Sequence, residues 1–242
     1  MEKNDLIIHL KDICFSYPGS APVLDNLNLK FYRGNRFGLM GPNGSGKTTL
    51  FQVIMGLLKP STGSIEIFNQ PARTEKDFRR VRRKIGLLFQ DADDQLFSPT
   101  VLEDVAFGPL NLGKTRDEAI EIGRNTLKFL GLSGFEDRVT YKLSGGEKKL
   151  VSLATVLAMQ PEVLLLDEPT SGLDEKTKEI LKGVLSDLNL SYIFISHEFD
   201  FLTEIADSIY AMENGRIYFD HEVHVHQHVH AHPHGTYVHK HD

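Results

Sequence analysis

No tryptophan, a single cysteine and no long apolar run narrow the possibilities before any motif is read. One thiol, Cys14, excludes an internal disulfide framework and is consistent with a reducing compartment. No stretch reaches the roughly 18 apolar residues of a membrane-spanning helix, and no signal-peptide core follows Met1–Asp5. A soluble chain is expected, with any membrane role arising by association. Excess basic charge is also missing. Lys and Arg number 27 against 33 Asp and Glu, a formal net charge of −6, which argues against a nucleic-acid partner. The one basic run, Arg79-Arg80-Val81-Arg82-Arg83-Lys84, reads as a solvated helix face. What is present is 242 residues, 40% of them hydrophobic, enough to build a sizeable core.

Histidine is the unevenly spread residue. Of eleven, only His9 and His197 precede residue 220. The other nine, His221, His224, His226, His228, His230, His232, His234, His239 and His241, crowd the C-terminal stretch. That shift divides the chain into a globular body, 1–220, and a tail, 221–242, expected to be disordered and to build no core.

Along the body, Ile7–Phe15 is apolar-rich, and Leu27, Leu29 and Phe31 alternate with polar neighbours, as half-buried strands require. Tyr17-Pro18-Gly19-Ser20 predicts the turn between them. A short run, Phe37–Met40, meets a glycine-rich loop, and Leu50, Val53, Ile54, Leu57 and Leu58 then repeat at helical spacing up to Pro60. Ser64–Phe68 and Ile85–Phe89 predict further strands. Thr100–Glu103 and Thr115–Glu118 fit capping boxes, so roughly 91–145 is expected to be helical. Val163–Leu166 and Tyr192–Ile195 are apolar runs between helical patterns, the signature of buried parallel strands in an α/β sheet. Asn214-Gly215 predicts a closing hairpin.

Three motifs carry chemistry. Gly41-Pro42-Asn43-Gly44-Ser45-Gly46-Lys47-Thr48 matches a phosphate-binding loop between a strand and a helix. Its glycines let backbone amides wrap a phosphate, Lys47 adds positive charge, and the Thr48 hydroxyl can ligand Mg²⁺. Val163-Leu164-Leu165-Leu166-Asp167-Glu168 ends a buried strand on two carboxylates, Asp167 for that Mg²⁺ and Glu168 to orient or deprotonate a water. Leu143-Ser144-Gly145-Gly146-Glu147 opens an apolar-faced helix with a second anion-receptive N-terminus.

With SGLD at Ser171–Asp174, these motifs stand in an order and spacing that resemble an ATP-binding-cassette (ABC) ATPase over essentially all of residues 6–220. The resemblance implies a RecA-like phosphate-loop NTPase core of α/β class, an antiparallel β subdomain and an inserted helical subdomain at about 91–145. It implies ATP and Mg²⁺ as ligands and a head-to-tail dimer, with itself or a second such ATPase, in which the partner's Ser144, Gly145, Gly146 and Glu147 close over each ATP. ATP would be held by Tyr17, stacked on adenine, and by Gly41, Pro42, Asn43, Gly44, Ser45, Gly46, Lys47, Thr48 and Thr49. The catalytic set implied is Glu168, His197, Lys47 and Gln90, with Mg²⁺ on Thr48, Gln90 and Asp167 and Asp174 in a dimer-interface loop. Many relatives carry glutamine where this chain has Glu147.

Gln90–Phe97 and Asp104–Pro109 further resemble the energy-coupling-factor branch, whose ATPases drive cobalt, nickel or vitamin uptake from the cytoplasmic face of the cell membrane. The resemblance implies a groove here for a helix of an integral membrane subunit. In the tail, every second residue from His224 to His234 is histidine, which in an extended chain spaces imidazoles about 6.6–6.8 Å apart along one side. Imidazole suits Ni²⁺ and Co²⁺, so those ions are the expected tail ligands and the expected cargo, with a vitamin as the alternative. A soluble, non-transport ABC ATPase is the remaining alternative. Fewer than a hundred residues separate the phosphate loop from LSGGE, too few for the long coiled coil of DNA-repair relatives.

Overall fold

A computed structural model describes residues 6–218, and the nine tail histidines lie outside the described residues. Two sheets organise the chain. The first comprises β1 (Leu6–Phe15), β2 (Leu24–Tyr32), β4 (Thr62–Ile67) and β5 (Gln70–Pro71), antiparallel in the order β2-β1-β4-β5. Its alternation is the one the sequence predicts: Leu27, Leu29 and Phe31 point inward, each at most 2% exposed. The Tyr17–Ser20 turn is closed by the Ser20 amide donating to the Tyr17 carbonyl at 3.0 Å.

The second sheet has the order β10-β9-β3-β8-β7-β6. Here β3 (Arg36–Met40), β6 (Ile85–Leu88), β7 (Val163–Asp167), β8 (Ser191–Ile195) and β9 (Ser208–Glu213) run parallel. Antiparallel β10 (Arg216–Tyr218) returns through Asn214 and Gly215, whose φ values of 49° and 75° are those of a mirror-image two-residue turn. Every residue of β7 and β8 is buried, which explains their uninterrupted apolar runs. Their side chains alternate between two cores. Val163, Leu165, Ile193 and Ile195 face the core shared with the first sheet, and Leu164, Leu166, Tyr192 and Phe194 face the helices on the other side.

Helices α1 (Lys47–Ile54) and α2 (Glu75–Val81) belong to the first core, and α5 (Gly145–Leu157), α6 (Glu175–Asp187) and α7 (Phe199–Ile205) cover the second. Between them run α3 (Val101–Asn111) and α4 (Arg116–Phe129), each opened by its expected capping box on Thr100 and Thr115. Three local expectations are corrected. The helical pattern after the phosphate loop stops at Ile54 rather than at Pro60, because Gly56 turns left-handed (φ 67°) and leaves Leu57 50% exposed. Residues 130–144 form a loop with one short helical turn at Thr140–Lys142, because Gly131 and Gly134 both take positive φ. The basic run is helical only through Val81, where α2 ends. Its start, a capping box of Thr74 and Asp77, uses aspartate in place of the usual glutamate; hydrogen bonds from Thr74 and Arg73 hold the Asp77 carboxyl down to about 2.

Gly56 is the tightest of these turns: an added Cβ would lie 2.1 Å from the Phe78 ring. Gly56→Ala combines a left-handed alanine, about 1 kcal/mol, with overpacking of typically about 1–3 kcal/mol. The expected loss is about 2–4 kcal/mol in urea unfolding, and a loss below about 0.5 kcal/mol would contradict the packing described.

Candidate functional site

The phosphate loop is fixed by its neighbours before any ligand arrives. Gly41 passes so close to β9 that a Cβ would meet the Met212 carbonyl at 2.0 Å, and a Cβ on Gly46 (φ 104°) would meet the carbonyl of Val23, just before β2, at 2.8 Å. The Ser45 carbonyl accepts from the Gly215 amide at 3.2 Å, so the closing hairpin braces the loop. Lys47, 6% exposed, folds back to donate to the Gly41 and Pro42 carbonyls at 2.8 and 3.1 Å. Burial lowers its pKa, opposed by Glu168 and Asp167. Pro42, Asn43, Gly44 and Thr48 are exposed, whereas the Ser45 hydroxyl is buried with no hydrogen-bond partner. Tyr17 stands beside the loop, 40% exposed, its hydroxyl 3.4 Å from that of Thr49 and its ring edge-on to Phe15.

Strand β7 delivers the two carboxylates. Asp167 is 3% exposed; the Thr48 side chain hydrogen-bonds it, but its Oδ1 has no partner. Burial raises its pKa, with Thr48, Lys47 and Lys149 pulling the other way. An orphaned carboxylate oxygen next to a hydroxyl is a hard-oxygen donor set, and these residues fit Mg²⁺. Glu168, in a left-handed conformation (φ 44°), is held from both sides: Gln90 Nε2 donates to Oε2 at 3.0 Å and His197 Nε2 lies 3.1 Å from Oε1. Its carboxylate is thereby aimed and kept from collapsing onto the loop. Such a group can accept a proton from water beside a bound phosphate.

Ser144, Gly145, Gly146, Glu147 and Asp174 form a second cluster, and no hydrogen bond or ion pair among the described residues joins it to the phosphate loop. Ser144 caps α5 through a full box. The Glu147 amide donates to its hydroxyl, while its own amide and hydroxyl donate to Glu147 Oε2 at 2.8 and 2.9 Å. Asp174 caps α6 through the Thr177 amide, and a Cβ on Gly146 would sit 3.2 Å from the Thr177 hydroxyl. One chain therefore carries two clusters of motif residues, one at the start of α1 and one at the start of α5.

Two residues that sequence reasoning did not single out bind the halves together. Lys149, 5% exposed, donates to the Phe89 carbonyl at 3.3 Å and more closely to that of Gln90; burial lowers its pKa. Gln95 accepts from the Phe89 amide and donates to Ser152 and Thr155 on α5. The available signal for Lys149 was a cation flanked by Leu150, Val151 and Leu153 on an apolar helix. Beyond this segment lies a groove with a cavity of about 250 Å³ lined in part by Leu57, Phe97, Asp104 and Phe107. Phe97 is 66% exposed, and Asp104 is buried with Oδ2 unpaired. Among the described residues, no group of three or more His, Cys, Asp or Glu could hold a metal, and no helix is long and apolar enough to cross a membrane.

A carboxyl with a raised folded-state pKa opposes folding above that pKa, and the penalty disappears as pH falls below the ordinary carboxylate range. Asp167→Asn is thus expected to raise the melting temperature of the nucleotide-free chain in EDTA at neutral pH, by about 2–4 °C per kcal/mol gained. The difference should shrink towards pH 4, and a lower melting temperature at neutral pH would refute the assignment.

Comparison with known proteins agrees with this geometry. Residues 24–171 match the family model for the ABC transporter. The energy-coupling factor transporter ATP-binding protein EcfA of Methanocaldococcus jannaschii is 44% identical over 215 residues, covering 87% of this chain and 77% of that protein. CbiO1 of Clostridium perfringens, described as part of the ABC transporter complex CbiONQ, superposes with a TM-score of 0.79 at 37% identity, covering 89% of this chain and 88% of that one. The ATP-binding cassette MJ0796, a dimer in a post-hydrolysis state with ADP and Pi, superposes at 0.80 with 28% identity over 88% of this chain and 97% of that one. A phosphate loop closed by β9 and β2, a strand ending in paired carboxylates, and these relatives lead to one conclusion: the chain belongs to the ABC transporter family, as its ATP-binding, ATP-hydrolysing component.

Proposed function

We propose that this chain energises an energy-coupling-factor importer for cobalt or nickel ions, acting as a head-to-tail dimer on the cytoplasmic face of the membrane. The observation that carries the hydrolytic part is Glu168, held between Gln90 and His197 at the end of β7 and within Coulombic reach of Lys47. In the dimer each ATP lies between Gly41–Thr49 of one copy and Ser144–Glu147 of the other, with Tyr17 under the adenine and Asp174 in the interface. Lys47 exchanges its carbonyl partners for phosphate oxygens. Thr48, Asp167 and Gln90 would hold Mg²⁺, which would supply positive charge to offset that of the phosphates. Glu168 takes a proton from the attacking water, whose oxygen bonds to the γ-phosphorus as the bond to ADP breaks, and His197 steadies the γ-phosphate.

Domain boundaries follow the same reading: an ATPase body over 1–220, its helical insertion near 91–145, and a metal-binding tail over 221–242. The groove beside Phe97 and Asp104 receives a helix of an integral membrane subunit; its exposed rings and unpaired buried carboxylate oxygen support that reading. Support for the cargo is chemical, since nine tail imidazoles form a set suited to Ni²⁺ and Co²⁺. Relatives named EcfA support the transporter class.

Glu168→Gln is expected to lower ATP turnover by about 10²–10⁴-fold while nucleotide binding persists; turnover within tenfold of the parent would remove Glu168 from its role. Cells producing the complete transporter should accumulate Ni²⁺ or Co²⁺ in an ATP-dependent manner, and accumulation of a vitamin without either metal would overturn the cargo assignment.

A further inference from the structure

Glu147 puts a fixed negative charge where an anion has to bind. Its Oε2 is 2.9 Å from the Ser144 hydroxyl, at the mouth of α5, so a phosphate reaching Ser144 approaches this carboxylate. The Ser144 hydrogen bonds, followed by the pair with Arg138, hold the Glu147 carboxyl below its usual range, so it is ionised at neutral pH. Left alone, that charge would oppose the anion preference of the helix N-terminus.

Arg138 occupies the other side of the same carboxylate. Its Nη1 donates to Glu147 Oε1 at 2.9 Å, and its guanidinium lies 3.7 Å from the centre of the Phe135 ring. The backbone is fixed as well: the Arg138 carbonyl accepts from the Val101 amide at 3.0 Å, and the Arg138 amide donates to Phe135 at 2.9 Å. The cation is therefore held by a ring, a carboxylate and the start of α3, a restraint that a flexible, point-charged lysine would not reproduce. Lys148, the nearest other cation in sequence, is engaged elsewhere, with Asp93 at 2.6 Å.

We propose that Arg138 is a positioning residue for ATP bound across the dimer: by neutralising Glu147 it keeps Ser144–Gly146 receptive to the γ-phosphate of the partner's nucleotide. This rests on the head-to-tail reading above. It assigns the loop between α4 and α5 a part in nucleotide affinity without contact between Arg138 and the nucleotide.

The test is a double-mutant cycle read by ATPase kinetics and by ATP-dependent dimerisation in the Glu168→Gln background. Arg138→Ala is expected to raise the KM for ATP on the order of tenfold, with kcat changing much less, and to weaken ATP-dependent dimerisation correspondingly. Arg138→Lys should recover part of the loss. In a Glu147→Gln background the same Arg138→Ala change should alter KM by less than twofold, because the neutral amide no longer holds the guanidinium beside the α5 N-terminus. An equal loss with and without Glu147 would overturn the proposal in favour of a merely structural arginine, as would an unchanged KM in Arg138→Ala. Failure of the Glu168→Gln chain, otherwise unaltered, to dimerise with ATP would instead overturn the head-to-tail reading itself.

Discussion

Two carboxylates at the end of a strand with no water on either face set the terms for the rest of the site. β7 pairs in register with β6 and β8, and all five of its residues are buried, so Asp167 arrives already desolvated. Its Oδ1 remains unpaired, and the compensating charges, Lys47 and Lys149, are themselves buried enough to have lowered pKa values. Two cations and two carboxylates come close to balancing. ATP alone would add uncompensated negative charge, part of which Mg²⁺ bound with it would offset. The electrostatics of the resting site thus favour the metal–nucleotide complex over the free nucleotide.

The same burial forces a division of labour along α5. The helix begins at the Ser144–Glu147 capping box, and within its first three turns Lys149, Ser152 and Thr155 hold the 89–95 segment through Gln90, Phe89 and Gln95. Gln90 in turn holds Glu168. A chain of hydrogen bonds therefore links the start of α5 with Glu168 beside the chain's own phosphate loop. A close-packed interior transmits displacement along such a connection.

What the sequence revealed depended on how local the determining physics was. The phosphate loop, the apolar runs of β7 and β8, two capping boxes and the Asn214-Gly215 turn are each written in a few adjacent residues. Those features appear where expected. The early stop of α1 was hidden because Leu57 and Leu58 continue the helical period past Gly56, whose left-handed turn is packed beneath Phe78, a residue remote in sequence. The start of α2 was masked by an aspartate at the third helical position, since Asp77 closes the box that a longer glutamate usually closes. Lys149 was illegible for a different reason: its partners are main-chain carbonyls about sixty positions away, and no side-chain pattern advertises a backbone acceptor.

The loop between α4 and α5 shows why such long-range contacts matter. Glutamate closes a capping box on Ser144 with a charge-assisted hydrogen bond, stronger than the neutral amide of glutamine would give. The same charge repels a phosphate, so a better helix cap and a better anion receptor conflict at position 147. A cation reaching only the outer carboxylate oxygen resolves the conflict, because Oε2 stays with Ser144 while Oε1 is neutralised. Arg138 meets that requirement from a backbone tied to the first residue of α3, the helix that also contributes Asp104 and Phe107 to the exposed groove. The charge that tunes the start of α5 is thereby anchored to the element best placed to feel a partner docking in that groove. Under the proposed role, groove occupancy and nucleotide affinity share a structural element rather than merely a surface.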